Sequence, residues 1–390
     1  MKVINSNKIA LVLVIASNLI LLPLANFSSQ SNIIFYGEPS LMNYNLKTSR
    51  ISNKIFINGT SDWTDFRNAG NCTGSGTYSD PYVIKDLIID GGGSGNCIHL
   101  ENSNVFFRIE NCTIFNSGFE IYFGMPFGAG IMLYNVSNGF IENNSLISNC
   151  YGIISWGINT TISQNIVSNN TGGIFSMGKN NLVCNNSVNN NYEGISASGG
   201  CRVLENTVIN NDIGIAGGND ATILLNNVSF NKIHGMVISG WEDDFIADNY
   251  INNNNGTGIL CTAYYSDIVR NEINNNKEDG IHLKPSTYDS YGNYTVPCLG
   301  NLISQNSINN NFCGIRLNIT QHTDVINNSI SNNQISGIEI NQGSMDNISN
   351  NEINENYYGI RILHSQNSNI FQNIINHNHY GVYLNSSEGN

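Results

Sequence analysis

Several groups of residues in this sequence have the types and spacing that chemistry needs. Glu242-Asp243-Asp244 is the one dense acidic run, directly after Trp241. Two carboxylates act as acid and base when their surroundings separate their pKa values, and together they ligate Ca²⁺. Asp279, close to Gly280 and His282, is a further carboxylate candidate for catalysis. His377-Asn378-His379 sets two imidazoles at i and i+2, on one face of a strand, which suits a metal. His282, Arg316, Glu339, Arg361 and Tyr383 occupy one slot of a recurring phrase, each two places after a glycine. Guanidinium, carboxylate, imidazole and phenol side chains on one face would suit a sugar chain, above all an acidic one held by Arg316 and Arg361. Each group also has a plain reading. Neighbours in a strand point oppositely, a turn is solvated, and Arg316, Glu339 and Arg361 can neutralise one another as a solvated cross-strand ladder.

What must position these residues is a repeat of about 22 residues. A branched aliphatic runs from Ile141 through Ile162, Val183 and Val203 to Ile370. Three places after it stands an Asn in every copy, Asn144 to Asn373, and five places further a second, Asn149 to Asn378. A glycine column, Gly130 to Gly381, opens a Gly-Ile-x-aliphatic segment. A helical repeat would carry Ala, Leu, Glu and Lys at period 3.6; here β-branched residues alternate with turn formers, so each copy is two or three short strands. Such a unit cannot close a core alone. Coils stacked about 4.8 Å apart bury a continuous aliphatic column and lay like residues over like. Asn suits the ladders because its amide donates and accepts, and it tolerates the left-handed turn; the glycines mark positive φ or a close backbone approach. The expected fold is all-β, a right-handed parallel β-helix solenoid. In Gly-Ile-x-aliphatic the x side chain points outward, giving the column His99, Met132, Ile154, Phe175, Ser196, Ala216, Val237, Leu260, His282, Arg316, Glu339, Arg361, Tyr383. The register is open in its apolar middle, where Ser155, Ser176, Ala197 and Gly217 follow x. The insertion at 284–300, with Tyr288, Tyr291 and Tyr294, is expected to overhang the face beside His282.

Outside the repeat, residues 1–25 read as a secretory signal: Lys2 and Lys8 precede an apolar run shorter than a comfortable membrane span. An uncleaved N-terminal anchor is the alternative. Residues 26–50 read as a leader, 51–90 as an N-terminal cap with the first strands, and 91–390 as the solenoid. The net charge of −13 on a chain only 12% charged disfavours nucleic acid as a partner. Nine cysteines without a CxxC pair argue against structural zinc and for buried thiols with one or two bridges. Sequons such as Asn58-Gly59-Thr60 and Asn347-Ile348-Ser349 fit a secreted or cell-surface chain.

The iterated [IV]-x-x-N-x-[IV]-x-x-N…G-I-x-[IVL] motif, over residues 80–390, resembles the β-helix repeats of the NosD-like, carbohydrate-binding and sugar-hydrolysis group. The resemblance implies a parallel β-helix of the pectate-lyase type. It also implies an acidic pair or Ca²⁺ cluster with an Arg or Lys base if the chain is an enzyme, and copper-handling histidines if it is NosD-like. The sequence has no Asp-Pro-His, no Arg-x-Pro-x-x-Arg and no Gly-His-Gly of the enzymes that share such coils. The expected function is therefore an exported binding or scaffold module for a polysaccharide or cell-surface glycan. A lyase, hydrolase or C5-epimerase is the first alternative and a copper-handling accessory protein the second.

Overall fold

The computed structural model describes residues 49–122, 125–241, 243–288 and 294–389. The signal and most of the leader, Glu242 and Tyr291 lie outside these. The described chain winds as a right-handed parallel β-helix of three sheets, two of fourteen strands and one of thirteen. Sheet I runs from Arg50–Ser52 to Ile374–Asn376, sheet II from Ile55–Asn58 to Tyr380–Asn385, and sheet III from Tyr82–Lys85 to Asn369–Phe371. Each coil visits III, I and II in turn. Inward positions form unbroken aliphatic columns. In sheet III, Ile141, Ile162, Val183, Val203 and Ile223 sit in register, all fully buried.

The two asparagine columns turn the corners III–I and I–II. Beyond the first rungs each Oδ1 accepts two hydrogen bonds from the Asn of the preceding coil: Asn165 N and Asn165 Nδ2 both donate to Asn186 Oδ1, at 2.9 and 3.0 Å. Each Nδ2 also donates to a strand carbonyl, as Asn186 Nδ2 does to Ile162 O at 2.9 Å. The left-handed turn residue is the one before each ladder asparagine: Asn143, Glu205, Leu225 and Arg270 at the first corner, Asn169, Phe230 and His377 at the second, with φ between 54° and 58°. The ladder asparagine supplies the hydrogen bonds, and its predecessor takes the strained backbone whatever its side chain.

The glycine column is needed for space, not for positive φ. A β-carbon on Gly214 would lie 2.4 Å from Gly235 O, 2.6 Å from Val228 Cγ1 and 2.8 Å from Asn231 Nδ2. Gly214→Ala is expected to cost about 2 kcal/mol by overpacking, read as a lower urea midpoint at unchanged slope.

The strands of residues 50–90 are already rungs of the three sheets. A helix absent from the sequence reading, α1 (Gly59–Asn68), lies between the second and third of them in chain order. Its buried Trp63 stacks on Tyr82, 5.0 Å and 6° apart, and packs on Phe107, 5.6 Å away, covering the first coils. The expected disulfides are a correction: all nine cysteines are free thiols, and all but Cys184 are buried. Like-over-like stacking explains this, because the sulfurs do not share columns. Cys184 stands beside Ser163 and Leu204, Cys261 beside Ile238 and Leu283, and Cys313 beside Ser336.

Candidate functional site

Sheet II has the longest strands, up to nine residues, and its outer face carries the candidates. The x column is continuous from His99 to Tyr383 without a register slip through its middle. Ser155, Ser176 and Ala197 point inward beside it and are buried. The apolar members are covered although they face away from the core: Met132 and Ile154 are fully buried and pack with Ala129 and Phe175 in a cluster separate from the main core.

From His282 onward the column becomes a chain of ion pairs along the solenoid axis. Asp279 Oδ2 lies 3.1 Å from His282 Nδ1, and Asp279 Oδ1 lies 3.4 Å from the Arg316 guanidinium. Arg316 Nε is 3.3 Å from Glu339 Oε1, and Arg361 donates to Glu339 Oε2 at 3.0 Å. The two carboxylates are the buried members, with side chains 4% and 10% exposed, while Arg316 and Arg361 keep 26% and 30%. Two guanidinium and two carboxylate charges cancel, so the positive charge of Arg316 and Arg361 is met within the protein. Arg316 also donates to Cys313 Sγ at 3.1 Å; burial first, then the charge of Asp279, pushes that thiol up to about 11.

Beside this ladder runs an aromatic rail that the sequence reading passed over. Phe312, Tyr357 and Tyr380 are more than a third exposed. The Arg316 guanidinium lies 5.8 Å from the Phe312 ring centre, and that of Arg361 lies 5.2 Å from Tyr358. Tyr358 stacks on Tyr380 at 5.2 Å and meets Tyr383 at 5.3 Å. The signal was present in the residues before three of the last four glycines of the column: Phe312-Cys313-Gly314, Tyr357-Tyr358-Gly359, His379-Tyr380-Gly381.

The structure brings Asp279 together with His282, Arg316, Glu339, Arg361 and Tyr383, and sets the other candidates apart. Asp244 is buried at the turn into sheet III, where its Oδ1 accepts from Ala221 N at 2.9 Å. In that column Asn181 and Asn301 do the same for Thr160 and Ser266, so Asp244 is doing an asparagine's structural work. Asp243 is exposed beside it. His377 is one of the left-handed turn residues, and His379 stacks on Tyr357 with centroids 4.9 Å apart. Among the described residues no three His, Cys, Asp or Glu side chains converge as a metal site. The insertion forms a hairpin, Ser286–Tyr288 against Tyr294–Val296, and the Ser286 hydroxyl lies 3.2 Å from Tyr264 Oη.

A family model described as periplasmic copper-binding protein (NosD) matches residues 196–294 and 286–390, and one described as right-handed beta helix region matches 53–228. Similar solved structures include the A-module of the Azotobacter vinelandii mannuronan C-5 epimerase AlgE6. It is 13% identical, with 78% of this chain and 80% of that one covered and a TM-score of 0.45. The Dettilon tailspike protein gp208 is 14% identical, with 74% and 62% covered and a TM-score of 0.47. PfbA, a surface adhesin of Streptococcus pneumoniae, is 14% identical, with 71% and 84% covered and a TM-score of 0.44. These likenesses are of fold. No curated protein matches the sequence, and among the described residues no helix is long and apolar enough to cross a membrane.

Proposed function

The chain belongs to the NosD family of right-handed parallel β-helix repeat proteins, and from that premise we propose that it is an exported module that binds a polysaccharide or cell-surface glycan along the outer face of sheet II. The observation that carries this is the ladder Asp279, His282, Arg316, Glu339, Arg361 along successive coils, with the exposed aromatic side chains of Phe312, Tyr357 and Tyr380 beside it. Rungs spaced by about 4.8 Å line up binding groups along an extended polymer, and a rigid wall loses little entropy on binding. Aromatic faces pack on sugar rings, while the ladder offers hydroxyl groups its donors and acceptors. Because the ladder is charge-balanced, the reading favours a neutral glycan over a uronate.

Affinity electrophoresis against neutral and acidic polysaccharides tests this. Retention is expected with neutral polymer, and Tyr357→Ala is expected to weaken it about tenfold, the loss of one aromatic anchor. Equal retention of the variant would sink the reading. One geometry favours an enzyme as the second reading: Asp279 holds Nδ1 of His282, as an orienting carboxylate does for a general base. Incubation of the uronate polymers with and without Ca²⁺ distinguishes the two, since an enzyme leaves unsaturated or reducing ends, or inverted residues, and a binder leaves the polymer intact.

A further inference from the structure

The coil built of Asn369–Phe371, Ile374–Asn376 and Tyr380–Asn385 stands last in the order of all three sheets, so each of its strands has a strand neighbour on one side only. Its inward residues continue the core columns: Ile370 stands in register with Ile348, Ile375 with Ile353, Val382 with Ile360 and Leu384 with Ile362. One coil earlier those positions are 0% exposed, whereas Val382 and Leu384 are 46% and 49% exposed. At the rim Phe371 and Ile374 are 48% and 57% exposed. The coil also lacks the charges and prolines that usually guard an open sheet edge. From Asn369 to Gly389 there is no Lys, Arg, Asp or Pro, and Glu388 is the single acid.

We propose that this face docks a second copy of the chain, end to end about a two-fold axis. Three open strand edges around an apolar floor need backbone partners on all three sides at once. A lipid surface covers the floor but gives the N–H and C=O groups nothing, and a single peptide strand completes one edge. The same face of a second copy supplies floor and edges together. The opposite end of the solenoid does not, because α1 with Trp63 covers its first coils, so the contact is isologous rather than head to tail. Strand lengths choose the axis: the sheet II strand has six residues and the other two have three each. An axis through the middle of sheet II lays the long strand antiparallel on its own copy and each short strand on the other. Val382 then meets Leu384 of the second copy, Ile370 meets Ile375, and Phe371 meets Ile374. With one acid per coil, little charge opposes the approach.

Gly381 separates docking from folding. At every other glycine of its column, Gly130 to Gly359, a β-carbon would lie no more than 2.9 Å from an atom of the next coil. At Gly381 nothing lies within 4 Å. A side chain there fits the single chain and projects from the end face, where the second copy must sit. The axis also sets the two outer faces of sheet II side by side, on one side of the dimer. The docking does not rest on what those faces bind.

Sedimentation equilibrium of the full chain, from about 1 to 100 µM, tests the proposal by mass action. A monomer–dimer equilibrium is expected, with a dissociation constant of about 10 µM or tighter. High salt is expected to change it by less than about twofold, since no ion pair crosses the face. Gly381→Lys is expected to weaken association by about tenfold or more, with the thermal midpoint of the dilute monomer unchanged. The double variant Phe371→Ser, Ile374→Ser, altered only at the exposed rim, is expected to weaken it about fivefold. A parent that stays monomeric at the highest concentration, parent-like association of Gly381→Lys, or species that grow beyond the dimer would each overturn the assignment.

Discussion

Asn211→Ala is expected to lower the unfolding free energy by about 4 kcal/mol, a large loss for one surface-sized side chain. The residue is fully buried at the corner between sheets I and II. Its Oδ1 accepts from Asn191 N at 2.9 Å and Asn191 Nδ2 at 3.0 Å. Its Nδ2 donates to Val188 O, Ile209 O and Asn231 Oδ1 at 3.1, 3.2 and 3.3 Å. Alanine removes all of these and admits no solvent, so the Asn191 N–H is orphaned and carbonyls on both coils lose a donor, at about 1–3 kcal/mol for each group left unsatisfied. Urea unfolding followed by circular dichroism reads the loss. A midpoint shift at constant slope means the array still unfolds as one body, while a shallower slope means it parts at the broken rung, as nearest-neighbour solenoids can. Asn211→Asp separates shape from hydrogen bonding. It keeps the acceptor and loses the donors, so its defect is expected to be severe at pH 7 and to shrink in acid. An alanine variant as stable as the parent would mean that the ladder is decoration.

The fold was readable because a solenoid writes its contacts into its sequence. Register in a sheet is set by a period of two, and each aliphatic column continues without a break only if every coil keeps that period. The outward column from His99 to Tyr383 was legible for the same reason. Chemistry was less legible because a repeat hides which polar residues are spare. Asp244 looked like half of an acidic pair, yet it fills a ladder slot and accepts a backbone N–H at 2.9 Å, as Asn181 does. Asp279 looked like a lone acid, yet it joins His282 to Arg316. Phe312 and Tyr357 each sit two places before the glycine, outside the slot that periodicity singled out, and sequence alone does not say that this position borders the ladder. Helix α1 was missed because ten residues with Gly at the start are weak helix formers, held by Trp63 against Tyr82 and Phe107.

The same substitution of acid for amide makes Asp346 a built-in weakness with a predictable pH course. Asp346 is fully buried at the turn into sheet III. Its Oδ1 accepts from Thr323 N at 2.9 Å and its Oδ2 from Thr320 Oγ1 at 2.8 Å. Burial, only partly offset by these hydrogen bonds, pushes the carboxyl up to about 6 from an ordinary value of 3.8. A carboxyl raised in the folded state holds its proton there after the unfolded chain has lost it. Stability therefore falls as pH rises between those two values, and the penalty is complete above the higher one. Asparagine already occupies this column at Asn181 and Asn301, where Oδ1 accepts the N–H of the preceding coil at 2.9 Å in both cases. Asp346→Asn keeps that bond and lets Nδ2 donate towards Thr320 Oγ1, with no charge to bury. It is expected to stabilise the protein by about 2–3 kcal/mol at pH 7.5, the energy equivalent of the shift, and by almost nothing near pH 3.5, where the acid is protonated folded and unfolded alike. Urea midpoints of parent and variant from pH 3.5 to 8 check both limits. A gain of the same size at every pH would trace the effect to packing, and no gain at pH 7.5 would show that Asp346 carries its charge in the folded coil without cost.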